Sequence, residues 1–189
     1  MKQPAANTLP RLTQPEPKRD HIQGPPDALI QLLEYGDYEC PYCGAAHPVV
    51  QALQEKFGNR LCFAFRNFPL TNTHPHAEMA AECAESADAQ RKFWEMHDML
   101  FEHQDALEPE DLAEYAAAIS LDIQRLLNEL RDGTCAVRVR EDFTAGVHAG
   151  VNGTPTFFIN GERYEGPDDF VSMAAALNGA GPQRAHRPH

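Results

Sequence analysis

This chain has little positive charge and no long hydrophobic run, and its cysteines are neither dense nor even in number. Each shortage removes a class of function. Lys and Arg total 16 against 28 Asp and Glu, a formal net charge of −12. That balance argues against unspecific nucleic-acid binding, which needs cations on phosphates, and against attraction to anionic lipid. No stretch approaches the ~18 consecutive apolar residues of a membrane-spanning helix. No apolar core of a signal peptide follows Met1, so the chain as written is expected to be soluble and cytoplasmic. It would be periplasmic only if an export signal had been removed. The five cysteines, at 40, 43, 62, 83 and 135, do not form the dense, paired framework of a small secreted scaffold. No internal repeat stands out.

What is present fits one globular domain enlarged by an insertion: 189 residues, 42% of them hydrophobic, can bury a sizeable core. Residues 1–26 are polar and proline-rich and read as a disordered leader, and 179–189 read as a disordered tail. In between, residues 28–35 read as a strand and Pro41 to Phe57 as a helix ended by Gly58. Leu61 to Arg66 follow as a second strand. That βαβ unit implies a parallel pair with a right-handed crossover. From Pro75 to about Arg131 only helical signals occur. Pro109 opens one helix among acids, Asp122 can cap another, and Gly133 can end it. A helix from about Cys135 to Ala149 comes next. Thr156 to Ile159 then read as a strand, Asn160-Gly161 as a two-residue hairpin turn, 162–165 as its partner and Asp168 to Leu177 as the closing helix. The expected fold class is α/β, with a mixed central sheet flanked by helices. Residues 27–70 and 134–178 would form the α/β unit and 71–133 an all-helical insertion.

Cys40-Pro41-Tyr42-Cys43 is the most informative tetrapeptide. It stands at a strand-to-helix turn, where side chains three apart share a face and fit the roughly 4.4–6.8 Å Cα separation of a disulfide. The first thiol meets a helix N-terminus, whose unpaired N–H groups and dipole favour a thiolate. Pro41 has no N–H, so the amides of Tyr42 and Cys43 are the expected donors to the Cys40 sulfur. The plainer alternative is half a zinc site. Zinc needs a second ligand pair, however, and no second CxxC or HxxxH exists. His47 is expected along the outer face of its helix. Cys62, Cys83 and Cys135 read as small core residues, with a second redox pair among them still open. His74 and His76 read as an ordinary loop and helix start. Trp94, Met96, Leu100 and Phe101 read as core, and His97 and His103 as surface or satisfied core. Asp37 and Glu39 read as solvated charge flanking the dithiol, with tuning of Cys40 as the sharper alternative. Asp168 and Asp169 read as the start of the last helix.

The CxxC at a helix start, a later Thr154-Pro155 leading into a hairpin, and the helical block between them together resemble the thioredoxin fold and, within it, the DsbA-like family of thiol-disulfide oxidoreductases. The match runs from about Asp20 to Leu177 through YGDYECPYCG, FRNFPL, KFWEMHDMLFEHQ and GVNGTPTFFING. The same segments are similar to the soluble domain joined to some sodium/proton antiporters. The resemblance implies that Cys40 is a solvent-facing nucleophile and Cys43 the buried resolving cysteine. It implies that Pro155 is a cis-proline opposite them and Glu34 a buried acid beneath. Tyr42, Thr154 and Pro155 would meet the substrate, and Thr154 would present its N–H and C=O to an extended segment. Many DsbA oxidases carry Val where Thr154 stands, and Pro41-Tyr42 is shared with glutaredoxins. The expected activity is disulfide exchange with protein or peptide thiols and a redox partner, without metal or organic cofactor. The rivals are a glutaredoxin-like deglutathionylating enzyme and a binding or chaperone module with an idle dithiol.

Overall fold

The protein is described by a computed structural model that covers residues 12–181. Its centre is the βαβ unit. Strand β2 (Ile30–Gly36) is followed by helix α1 (Pro41–Phe57) and strand β3 (Leu61–Asn67). β2 and β3 pair in parallel, from Ile30 with Leu61 to Gly36 with Asn67. Both strands are buried on both faces, which accounts for their nearly continuous apolar sequence. β4 (Thr156–Ile159) lies antiparallel on the other side of β2, and β5 (Glu162–Arg163) follows through the Asn160-Gly161 turn. Both turn residues have positive φ, 50° and 91°, as such a tight hairpin requires. The Asn160 side chain also accepts from the Gln31 N–H (2.8 Å) and donates to the Ala180 carbonyl (3.0 Å), tying the turn to the sheet and the last helix.

The sheet has a fifth strand that the sequence reading placed in a disordered leader. β1 (His21–Gln23) pairs antiparallel with β3, giving the order β1-β3-β2-β4-β5. The leader assignment is therefore corrected for 12–26, while residues 1–11 lie outside the described ones. Two buried charges hold this edge. The Arg66 guanidinium in β3 donates to both Asp20 carboxylate oxygens at 2.9 and 2.7 Å, and to the Leu12 carbonyl at 2.9 Å. A three-residue strand is too short to show a period, and its anchor is an ion pair across 46 residues. At the other end, α7 (Phe170–Ala180) runs two residues past 178, into the expected tail, and residues 182–189 lie outside the description.

Between β3 and β4 come α2 (Ala77–Asp88), α3 (Phe93–Glu102), α4 (Pro109–Ala118), α5 (Ile123–Asp132) and α6 (Ala136–His148). Their ends carry local signals. A Glu108/Asp111 capping box opens α4, the Asp122 side chain accepts from the Arg125 N–H at the start of α5, and Gly133 closes α5 with φ 63°. Alternation along β2 divides the core. Leu33 and Tyr35 face a small cluster with Ala64, Phe68, Val151 and Phe158. Leu32 faces the large cluster made by α1, the insertion and α7. Glu34 and Gly36 share the Leu32 face, so β2 aims a carboxyl at the underside of the α1 N-terminus. No helix among the described residues is long and apolar enough to cross a membrane.

Candidate active site

Cys40 is the N-cap of α1, and its extended backbone (φ −76°, ψ 120°) turns the chain from the loop after β2 into the helix. Pro41 at the first helical position has no N–H, and no side chain caps this end. The loop is held from beneath by Asp37, which is buried although the sequence suggested solvated charge. Asp37 Oδ1 accepts from the Glu39 N–H (2.8 Å), and Oδ2 accepts from the Leu70 N–H (2.8 Å) and pairs with His74 Nδ1 (2.8 Å). Glu39 takes the second histidine, accepting from the His76 N–H (2.6 Å) and meeting His76 Nδ1 (3.0 Å). His74 and His76, expected as an ordinary loop, thus strap the segment before α2 to the loop before Cys40. Burial lowers the pKa of His74, but the bond to Asp37 and its charge outweigh this and raise it. His76 is raised by the bond to Glu39 first.

A second strap was not foreseen. Gln104, just after α3, donates from Nε2 to the carbonyls of Tyr38 (2.7 Å) and Cys40 (2.8 Å). Gly44 makes the room, since a Cβ there would stand 1.9 Å from Gln104 Oε1. A glycine one turn into a helix signals such an approach, though it does not name the group that approaches.

The two thiols, both free, occupy opposite environments. The expectation of a solvent-facing Cys40 is corrected: it is only 3% exposed, its sulfur covered by Thr154, whose carbonyl it meets at 3.3 Å. Its pKa is drawn down to about 5. The Cys43 thiol that donates to it is the largest cause, burial opposes, and the Thr154 hydroxyl and the amides of Cys43 and Tyr42 assist. The Thr154 hydroxyl is buried without a hydrogen-bond partner, so it is free to turn onto a charged sulfur. Cys43 is fully buried. Burial pushes its pKa well up, helped by the bond to Cys40 and the charge of Glu34, while the Asp37 N–H (3.5 Å) opposes.

Glu34 is buried, and its Oε1 has no hydrogen-bond partner. Burial, then the charges of Asp168 and Cys40, raise its pKa to about 8. Gly36 keeps this space tight: a Cβ there would meet the Phe65 ring at 2.4 Å and Glu34 Oε1 at 3.0 Å. The Thr154–Pro155 peptide is cis. Tyr42 projects from the first turn of α1 and is 73% exposed. The structure thus gathers Cys40, Cys43, Glu34 and Thr154 at one place, with Pro155 and Tyr42 beside it. Cys62, Cys83 and Cys135 are buried elsewhere, with pKa values raised by burial to about 11, 12 and 12. His47, expected on the outer face of α1, is instead buried against Phe101 of α3 (ring centroids 5.0 Å), because the insertion covers that flank of the helix.

A family model described as thioredoxin matches residues 16–179. Among curated relatives, the Na(+)/H(+) antiporter NhaA 1 of Salinispora arenicola is 46% identical over 165 residues, covering 87% of this chain and 25% of that protein. NhaA 1 of Mycobacterium sp. strain KMS is 46% identical over 177 residues, covering 93% and 28%. The chain thus spans about a quarter of the length of the curated relatives it matches. Among solved structures, oxidised BdbD from Bacillus subtilis superposes with a TM-score of 0.79 at 24% identity, over 89% of this chain and 96% of that one. Alpha-DsbA1 from Wolbachia pipientis gives 0.76 at 21%, over 89% and 94%. At these identities the likeness to the solved structures is one of fold.

Proposed function

This chain belongs to the thioredoxin family, and on that premise we propose that it is a protein thiol-disulfide oxidoreductase working through Cys40 and Cys43. The carrying observation is the asymmetry of the two sulfurs. One sits under Thr154 with its pKa drawn to about 5, and the other is sealed beneath it beside a carboxyl of raised pKa.

In the reducing direction, the Cys40 thiolate attacks a substrate disulfide. A mixed disulfide forms, and one substrate sulfur leaves and takes a proton from water. The Cys43 thiol passes its proton to ionised Glu34, and its thiolate attacks the Cys40 sulfur. The Cys40–Cys43 disulfide forms while the second substrate sulfur leaves. Two electrons pass from the dithiol to the substrate. The same steps in reverse oxidise a substrate dithiol, with Glu34 returning the proton. Glu34 suits this relay because Cys43 is fully buried, and an acid of pKa about 8 both holds and releases a proton near neutrality. Tyr42, Thr154 and Pro155 would frame the substrate, the Thr154 backbone reading an extended segment without strong choice of side chain. The cysteine pair carries the electrons, so no further cofactor is called for.

The test is turnover of a peptide disulfide by Cys40→Ser and Cys43→Ser variants. Cys40→Ser should be inactive, and Cys43→Ser should accumulate an enzyme–peptide mixed disulfide. Full turnover by Cys40→Ser would refute the assignment. Full turnover of a glutathionylated peptide by Cys43→Ser would make the protein glutaredoxin-like instead.

A further inference from the structure

The geometry points to a second site, outside the dithiol chemistry: a divalent transition-metal site, of the kind zinc occupies, formed by His47 of α1 with His97 and Asp98 of α3. Among the described residues this is the one group of three such side chains whose ligand atoms all lie within 4.8 Å of one another. Imidazole and carboxylate at 2.0–2.2 Å from an ion stand roughly 3.3–3.5 Å apart in a tetrahedron. One pair is already at that separation, with His47 Nε2 and Asp98 Oδ1 at 3.4 Å. Asp98 is half-exposed, so its carboxylate can move without disturbing the core.

Three further observations favour an ion over a merely packed histidine pair. Gln51 Nε2 lies 3.1 Å from His47 Nε2, so a third polar side chain already faces the nitrogen that would ligate. The same amide reaches Asp98 Oδ1 at 3.5 Å, and half a turn of it would offer an oxygen in place of the nitrogen. His97 is oriented from behind: its Nδ1 is engaged by the Tyr38 hydroxyl at 3.0 Å, which leaves Nε2 for an ion. A ligating histidine characteristically has its other nitrogen held this way. Finally, the residues line a cavity of about 70 Å³, which Gln23 and Gln54 also line. That is room for an ion with a water as remaining ligand.

The surrounding charge is favourable too. Glu102 lies close enough to act on both His47 and Asp98, and Glu95 on Asp98, so the cluster has negative charge near it. The cluster is set by tertiary contact between α1 and α3. His97 and Asp98 are neighbours in sequence and His47 is 50 residues away, so no spacing motif announces it.

The experiment titrates Zn2+ against the full chain carrying Cys40→Ser and Cys43→Ser, so that the dithiol cannot bind, using a competing chromophoric chelator. Co2+ absorption supplies an independent signature of nitrogen and oxygen ligands without sulfur charge-transfer bands. One equivalent should bind. Adding Asp98→Asn should weaken binding at least tenfold, and adding His47→Gln should remove it. Tyr38→Phe should weaken it about tenfold or more, as loss of such a supporting partner does. Asp98→Asn alters a half-exposed side chain and decides the matter even if His47→Gln fails to fold. Absence of stoichiometric binding, or affinity unchanged in Asp98→Asn, would overturn the site.

Discussion

Replacing Glu34 by Gln should make the enzyme slower and should shift the stability of the reduced protein, relative to the parent, upward as pH rises. The group's pKa rises on folding, from 4.5 to about 8, chiefly through burial. Below pH 4.5 both states are protonated and ionisation makes no difference. As pH rises, the unfolded chain releases the proton while the folded one retains it, which costs the folded state about 1.36 kcal/mol per pH unit. At pH 7 the penalty reaches ~3 kcal/mol, and above pH 8 it levels near ~5 kcal/mol. Gln never ionises and escapes it. Its amide brings a separate cost of about 1–3 kcal/mol for a buried group without partners, and that cost is independent of pH. The variant should therefore be less stable than the parent near pH 4.5 and more stable by pH 8. Denaturant unfolding of both proteins, kept reduced, at pH 4.5, 6, 7 and 8 measures this. A stability difference flat to within ~1 kcal/mol across that range would refute the raised pKa. In single-turnover experiments the same variant should form the mixed disulfide normally and resolve it slowly, while the parent's resolving step speeds up from pH 6 towards 8. An unchanged resolving rate would remove Glu34 from the mechanism.

Alkylation of Cys40 in the reduced protein should follow a titration near pH 5 and be level above pH 7, because thiolate is then the prevailing form. Cys62, Cys83 and Cys135 should stay unmodified at pH 7 in the folded state, as mass mapping would show. Asp20→Ala should cost about 3–5 kcal/mol, because it leaves the buried Arg66 guanidinium without its carboxylate. A loss under ~1 kcal/mol in urea melts would mean that β1 contributes little. Asp37→Ala strips the Glu39 and Leu70 amides and His74 of their acceptor, for a loss of roughly 3 kcal/mol or more at about 1–3 kcal/mol per orphaned donor. It should also slow the Cys40 steps, through loss of the loop's shape, and stopped-flow with a peptide disulfide would read this.

The parts of this molecule legible in its sequence are those with local physical causes. Helix α1 runs from Pro41 to Phe57 as read, because a proline opens it and Gly58 turns the chain at its end. Asp122 and Gly133 bound α5 for equally local reasons, and Asn160-Gly161 makes its turn with little outside help. What escaped was decided at long range. Asp37 reads as surface charge until Leu70 and His74, 33 and 37 residues away, arrive to bury it. Gln104 reaches across 64 residues to the Cys40 carbonyl. His47 looks outward on an isolated helix and inward once α3 packs beside it. β1 offers three residues without a period and is held by partners the local chain cannot reveal. The dithiol is legible because a CxxC needs only one helical turn to make sense, whereas the straps that fix its geometry have no motif of their own.

Those straps explain why two carboxyl groups three residues apart on one strand and its loop do different work. Asp37 accepts three hydrogen bonds, from two amides and an imidazole, so its side chain is held in place as part of the loop. Glu34 has an oxygen with no partner at all, in a space that Phe65 and Gly36 keep closed. An unpartnered buried carboxyl is costly when charged and tolerable when protonated, which makes its proton affinity steep in its surroundings. Those surroundings include the Cys40 charge, itself present or absent according to the stage of the reaction. When Cys40 is a thiolate, its charge favours the protonated acid. When Cys40 is bonded to substrate that charge is gone, and Glu34 ionises more readily, at the moment when Cys43 has a proton to give. The pKa of Glu34 should accordingly fall when Cys40 is capped by a neutral disulfide. Carboxyl-labelled NMR of Cys43→Ser, free and as its peptide mixed disulfide, measures that shift. A pKa that rises or stays fixed on capping would break the link between the two groups.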